Sequence, residues 1–481
     1  MMHRAAFALL ALLVVAPSRA GPGFDARPWL DDLAQMRAAM ATKYANLEWA
    51  VFDRGADLDD YFSRAQARIL KAQNAGDAKA AFDGLVRRLG DGHVEIDWPT
   101  QASPQTAVPH DACVETGFDN AKAAAPLAAL APGYMPLRNE QSDMFPAGTI
   151  RVGRHRVGVL KIALFSSEAF PALCRAALEA LSIASDKPCP DDCADKIARW
   201  ADVRMTQDFI AQIEALERAR IDALVVDITG NGGGSEWAEA AARMLTPRRL
   251  VSERMDFVRG AQWMKELADA ETTLRDAAKT ATAGDHTFLL SLADQAAAKR
   301  AVAATPCDSA PLLKARHPDC AWLGEGFYAS GLLASADPAS LRGKAWAATV
   351  FTPMEYPYRE GVWRGPLIVL VDGESWSASE EFASVLQDNH AAFIIGEPTG
   401  GAGCGHTDGS SPIILTNSGG QLQLPDCARL RRDGSNEVRG VRPDLMLGWG
   451  RHDGPKLRAA AFLTALPDAI ERARMTARHK S

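Results

Sequence analysis

Ser377 sits at a turn where a side chain could act as a nucleophile. The apolar run at 366–371 reads as a buried parallel strand. It breaks at Asp372-Gly373-Glu374, and an amphipathic pattern then begins, with Phe382, Val385 and Leu386 at helical spacing. A serine at such a strand-to-helix turn exposes its hydroxyl near the positive end of a helix, the setting used for acyl transfer. The plainer reading is that Ser377 or Ser379 caps the helix, with Glu380 as the capping-box partner of Ser377.

A serine nucleophile needs a base, a group that orients the base, and donors for an oxyanion. His93 closes Gly90-Asp91-Gly92-His93, between a helix and the segment Val94-Glu95-Ile96. A histidine at a glycine-flanked boundary can reach a cleft, although a lone histidine is more often structural. Asn231-Gly232-Gly233-Gly234 lies between a buried strand and a helix start, where free amides can bind an anion. A tight structural turn explains these glycines equally, and no Lys-Ser/Thr pair follows to make a phosphate loop. Glu437 lies in a late loop before Gly440-Val441-Arg442-Pro443-Asp444 and reads on its own as a solvated charge. Spacing alone does not join Ser377, His93 and Glu437.

The elements that must position these residues alternate. Residues 28–90 read as helices and 100–147 as loops and short elements. Strands resume at 149–152 and 156–162, and 168–218 reads as helical, interrupted at Cys189 to Cys193. A buried strand at 221–228 is followed by a helix over 235–245. Residues 258–345 are the least regular, helical pieces mixed with a cysteine-bracketed loop, and read as an insertion over the core. A strand-helix-strand unit fills 366–396, and a hairpin turns on Asn417-Ser418-Gly419-Gly420. Alternating strands and helices predict an α/β core with a largely parallel sheet.

At 481 residues the chain exceeds what one compact core holds, and its 47% hydrophobic and 23% charged residues are ordinary for a globular protein. A formal net charge of −7, with no basic stripe carrying aromatics, argues against nucleic-acid binding. Arg429-Leu430-Arg431-Arg432 is too short for such a stripe and reads as a solvated turn. The N-terminus looks like a secretory signal: His3 and Arg4, an apolar run at 5–16, and a cleavage site at Pro17-Ser18-Arg19-Ala20. That run is short for a membrane span, with an uncleaved anchor as the alternative, and no later stretch is long and apolar enough to span. Eight cysteines, an even number, favour disulfides in an exported protein. Cys189 with Cys193, Cys307 with Cys320, and Cys404 with Cys427 bracket loops, leaving Cys113 to Cys174. No Cys-x-x-Cys occurs and the ten histidines are scattered, so no metal site is expected.

Four blocks together resemble the tail-specific, or C-terminal processing, serine peptidase superfamily. They are Leu89-Gly90-Asp91-Gly92-His93; the segment from Val225 to Gly234; Ser377-Ala378-Ser379-Glu380 with Leu386-Gln387-Asp388 and 395–400; and 440–444. The match covers 148–257, 346–446 and the patch around His93. The resemblance implies a crotonase-like α/β core and a serine peptidase acting through an acyl-enzyme on peptide or protein substrates, with no metal or organic cofactor. It maps the nucleophile to Ser377, and oxyanion donors to Gly232 or Gly233 and to Ala378. Where the Ser-Lys branch carries its lysine this chain has Ala402, so the tricorn-core-like branch is implied, with His93 as base and Glu437 orienting it. That branch has a serine before the histidine, here Gly92, which leaves a triad rather than a tetrad.

The expected organisation is a signal peptide at 1–20, an N-terminal helical region at 21–100 carrying His93, and a connecting segment at 101–147. An α/β core at 148–450 with an insertion at about 258–345 follows, then a C-terminal helix at 451–481. The connecting segment is too short for the PDZ domain that many relatives carry. Two other functions fit the same residues: a non-catalytic carrier of apolar ligands on this fold, and an esterase-type acyl hydrolase. The oligomeric state is not legible.

Overall fold

Apolar runs without alternation become the centre of a seven-stranded sheet. Its order is Leu445–Met446, Phe393–Gly396, Leu367–Val371, Ala223–Asp227, His155–Lys161, Ala147–Val152 and Met135–Pro136. Neighbours are parallel as far as His155–Lys161 and antiparallel beyond it. Every residue of Leu367–Val371 and Ala223–Asp227 is buried, because helices cover both faces of a parallel sheet. Leu224, Val226 and Val369 pack with Phe209, Trp237 and Phe382 from the helices on one side. Val225, Ile368 and Leu370 pack with Phe462, Leu466 and Ile470 of the helix Pro455–Arg478 on the other. The fold is therefore the expected α/β class with a largely parallel sheet.

This computed structural model describes residues 24–99, 110–119, 124–138, 144–305, 307–407, 411–450 and 452–478. The expected signal peptide and part of the connecting segment lie outside them. Among the described residues no helix is long and apolar enough to cross a membrane.

Four helices, Arg27–Lys43, Leu47–Phe52, Leu58–Ile69 and Ala75–Leu89, build a second core with the C-terminal hairpin, through Met36, Phe82 and Leu85 against Leu415 and Leu422. The last of them starts at Asn74, whose side chain accepts from the Asp77 amide, and stops at Gly90 with φ +65°. That left-handed turn suits glycine. The strand Glu95–Asp97 then pairs antiparallel with Gln421–Gln423, carrying the segment 90–93 to the late half of the chain.

The stretch 258–345 mixes helices with a cysteine-bracketed loop as expected, but its helices are longer than its irregular pattern suggests. It holds two long helices, Ala261–Thr280 and Ala283–Ala303. Alanine favours helix but blurs the apolar periodicity that reveals one. The second correction concerns Arg429-Leu430-Arg431-Arg432. The strand Cys427–Leu430 pairs with Arg254–Val258, which pairs with Leu323–Gly324, and Arg429 is buried rather than solvated. The cysteines pair as expected, three across loops and one by remainder: Cys189–Cys193, Cys307–Cys320, Cys404–Cys427, and Cys113–Cys174.

Candidate active site

Two adjacent parallel strands deliver two loops to one edge of the sheet. Ala223–Asp227 runs into the glycine-rich turn and Leu367–Val371 into the Ser377 turn, with Asp227 opposite Leu370. The loops are stitched at the Asn231 carbonyl, which accepts from the Trp376 amide at 2.9 Å and from Ser379 Oγ at 2.9 Å. Asn231 is itself anchored, its Nδ2 donating to the Ile162 carbonyl at 3.0 Å. Gly233 is the contact point: a Cβ there would stand 2.8 Å from Ser377 Cβ and 3.2 Å from the Ala378 nitrogen. Only glycine permits that approach, and its φ of +110° demands glycine as well.

Ser377 has φ +56° and ψ −117°, a conformation that non-glycine residues rarely adopt. Glu380 holds it there. Its Oε2 accepts from the Ser377 amide at 3.0 Å, the half of the capping box that reaches back. The same buried carboxylate accepts from Thr399 Oγ1 (2.6 Å), the Gly401 amide (2.8 Å) and the Ala402 amide (2.7 Å). Burial raises its pKa, followed by the charge of Glu437. Glu380 thus ties the Ser377 turn to the loop 399–403.

That loop orients the histidine. His93 Nδ1 donates to the Ala402 carbonyl at 2.7 Å, and Nε2 lies 3.1 Å from Ser377 Oγ. A carbonyl only accepts, so Nδ1 carries the proton and Nε2 presents its lone pair to the serine hydroxyl. The residue standing where a dyad lysine would be therefore contributes a backbone oxygen. Asp91 fixes the other side of His93, its Oδ1 accepting from the His93 amide at 3.0 Å. The remaining oxygen of Asp91 accepts from Tyr44 Oη (3.0 Å) and Asn46 Nδ2 (2.8 Å). Burial pushes Asp91 up to about 6, its hydrogen bonds opposing.

Burial also pushes the His93 imidazole down to about 4. Depression favours the neutral ring, so Nε2 keeps its lone pair as pH falls. The acid limb of kcat/KM is expected near pH 4 rather than near the ordinary histidine value of about 6.5. A pH profile on protein whose circular dichroism is unchanged checks this; a limb at 6–7 would contradict it.

Gly92 leaves no room for a side chain. A Cβ at 92 would come within 2.6 Å of the Trp376 ring and 3.0 Å of Ala402 Cβ. Gly92→Ser is expected to push His93 away from Ser377 and cost about ten- to a hundredfold in kcat/KM. Steady-state kinetics beside the wild type measures it; an unaltered kcat/KM would mean that the loop yields freely.

The residues proposed as oxyanion donors differ in availability. The Gly233 amide donates to Asn231 Oδ1 at 2.9 Å. The amides of Gly232 and Ala378 have no hydrogen-bond partner among the described residues.

Glu437 does not touch His93. Its Oε1 accepts from Ser384 Oγ at 2.7 Å, and its Oε2 is paired with Arg429 Nε. The expected orienting bond is replaced by the Ala402 carbonyl, because Arg429 enters the core beside Glu437 and takes its charge. Arg429 also donates to Glu381 (2.8 Å), the Gly403 carbonyl (3.1 Å) and the Ser377 carbonyl (3.3 Å). Burial works against the Arg429 charge, but Glu437, Glu381 and Glu253 outweigh it and raise its pKa. Burial pushes Glu253 and Glu381 well above the carboxylate range, with Glu437 raising Glu253 further and Arg429 opposing the shift in both. The disulfide Cys404–Cys427 joins the histidine-orienting loop to the strand that carries Arg429.

Sequence reasoning missed Asp91, Glu380 as a loop anchor, Arg429 and Ala402. The flanking glycines of Asp91 were a signal; a backbone acceptor such as Ala402 has none. Among the described residues no group of three or more histidine, cysteine or acidic side chains could hold a metal.

A family model, Peptidase family S41, matches residues 156–447. Mature CPAF complexed with lactacystin is similar with a TM-score of 0.56 and 16% identity, over 94% of this chain and 99% of that chain. Mature CPAF alone gives a TM-score of 0.57 and 15% identity, over 94% and 98%. The crystal structure of the tricorn protease matches with a TM-score of 0.38 and 11% identity, over 93% of this chain and 37% of that one. At these identities the likeness to CPAF concerns the fold.

Proposed function

The chain belongs to peptidase family S41 and is a serine-type peptidase acting on peptide or protein substrates; on that premise we propose that Ser377 is its nucleophile and His93 its base. The observation that carries this reading is the 3.1 Å approach of His93 Nε2 to Ser377 Oγ, with Nδ1 committed to a carbonyl. His93 takes the Ser377 proton as Oγ attacks the scissile carbonyl, then returns it to the leaving amine. The amides of Gly232 and Ala378 stabilise the oxyanion, and their lack of other partners supports this choice over Gly233. Water completes hydrolysis of the acyl-enzyme. Ala402 orients the imidazole through its carbonyl, and Glu437 acts at one remove, through Arg429. Four disulfides support export to an oxidising compartment.

The test is covalent labelling by a fluorophosphonate probe. The wild type is expected to label at Ser377, while Ser377→Ala does not label and His93→Ala labels far more slowly. An intact, folded wild type that fails to label overturns the reading.

A further inference from the structure

Trp376 precedes Ser377, and its half-buried indole meets two other segments of the site. A Cβ at Gly92 would stand 2.6 Å from Cε3 and Cζ3 of the six-membered ring. A Cβ at Gly400 would overlap Nε1 and stand 2.6 Å from Cδ1 of the five-membered ring. Neither glycine has its φ in the left-handed region. The indole, rather than a turn, therefore accounts for both glycines. Hydrogen bonds close the same segments around the ring. The Gly92 amide donates to the Gly401 carbonyl at 3.1 Å, and the Gly400 amide to the Ser375 carbonyl at 3.1 Å. Trp376 Nε1 donates to the Gly373 carbonyl at 2.7 Å, which fixes the rotation of the indole.

Each neighbour of the ring leads to one part of the Ser377–His93 geometry. Gly92 precedes His93, whose Nε2 lies 3.1 Å from Ser377 Oγ. Gly400 stands two residues before Ala402, whose carbonyl accepts from His93 Nδ1 at 2.7 Å. Trp376 itself leads into Ser377 and its φ of +56°. The hydrogen bonds of Glu380 and Asp91 pull these segments together. A close-packed ring instead limits how near they come, because packed atoms do not compress.

We propose that Trp376 is a positioning residue: its indole, packed on the bare backbone of Gly92 and Gly400, sets the separation at which His93 meets Ser377. The inference rests on the Ser377–His93 reading for its effect on rate, and on the geometry alone for its effect on the imidazole. A displacement of about 1 Å between two such groups costs about a hundredfold in rate. The indole thus acts through His93 without touching the reacting atoms.

The experiment compares full-length Trp376→Phe, Trp376→Leu, Gly92→Ala and the Trp376→Leu/Gly92→Ala double variant, each checked for folding by circular dichroism and a thermal melt. The rate of fluorophosphonate labelling at Ser377 is expected to fall about ten- to a hundredfold in Trp376→Leu and in Gly92→Ala. Trp376→Phe, which keeps a flat ring, loses far less. In the double variant the added methyl enters space that the indole has left, so its rate is expected to be no lower than that of the slower single variant. On a peptide substrate kcat follows the labelling rate, with KM within about threefold of the wild type. A folded Trp376→Leu that labels at the wild-type rate makes the indole a packing element and overturns the proposal. Losses that multiply in the double variant overturn it too, as does a change confined to KM, which would make the ring a wall for substrate. Where Trp376→Leu does not fold, Gly92→Ala carries the test, and wild-type labelling by that folded variant overturns the proposal. The imidazole gives a reading free of catalysis. Its nitrogen chemical shifts, assigned against His93→Gln, are expected to show the Nδ1-protonated tautomer in the wild type and a mixture of tautomers in Trp376→Leu and Gly92→Ala. Unaltered shifts in both overturn the proposal. Altered shifts combined with an intact wild type that fails to label leave the positioning role standing and remove the catalytic reading instead.

Discussion

His93→Ala is expected to lower kcat/KM on a peptide substrate by about four orders of magnitude, with Ser377→Ala at least as damaging. On the proposed reading both side chains serve one proton transfer across the 3.1 Å gap between Nε2 and Oγ, so the double variant is expected to be little worse than either single one. The residual rate would come from the amides around Gly232 and Ala378 and from substrate binding. Ser377→Ala removes only a hydroxyl, and His93→Ala removes one side-chain hydrogen bond besides, to the Ala402 carbonyl. His93 is held through its backbone by Asp91, and the backbone of Ser377 by Glu380, so the unfolding midpoint should move little. Steady-state kinetics with a quenched peptide, alongside thermal melts, checks both expectations. A His93→Ala protein within tenfold of the wild type would show that another group takes the Ser377 proton.

The parts of this site that were legible are those written in side-chain type and local order. The strand-to-turn-to-helix pattern around Ser377 and the glycines at 232–234 report local backbone requirements, and these survive without knowledge of the rest of the fold. The pairing of His93 with Ser377 came from family resemblance, since 284 residues separate them. Arg429 shows the limit. An arginine at the head of an arginine cluster looks solvated, and only the convergence of Glu253, Glu381 and Glu437 from separate elements makes burial tolerable. The Ala402 carbonyl leaves no trace at all, because every residue carries one. The helices at 261–280 and 283–303 were blurred by alanine, whose small side chain packs without marking a face.

Arg429→Ala is expected to be the most destabilising single change near the site, by about 3–5 kcal/mol. It would leave Glu437 and Glu381 without their guanidinium partner and Glu253 with only Arg431, at 3.6 Å, and it would release the Ser377 and Gly403 carbonyls. A melt shows this as a large fall in midpoint. Glu437→Gln asks the sharper question. If Glu437 accepted directly from His93, its neutral isostere would cost about four orders of magnitude in kcat/KM, as when a triad carboxylate is lost. In the observed arrangement its oxygens serve Ser384 and Arg429, so the loss should be nearer tenfold. The acid limb of the pH profile should stay near 4, since burial rather than Glu437 sets the His93 value. A four-order loss with an unchanged melt would mean that Glu437 leaves Arg429 and reaches the imidazole during turnover. Arg429 would then be the partner that releases Glu437 as substrate binds, and the Ala402 carbonyl would orient His93 only in the resting enzyme.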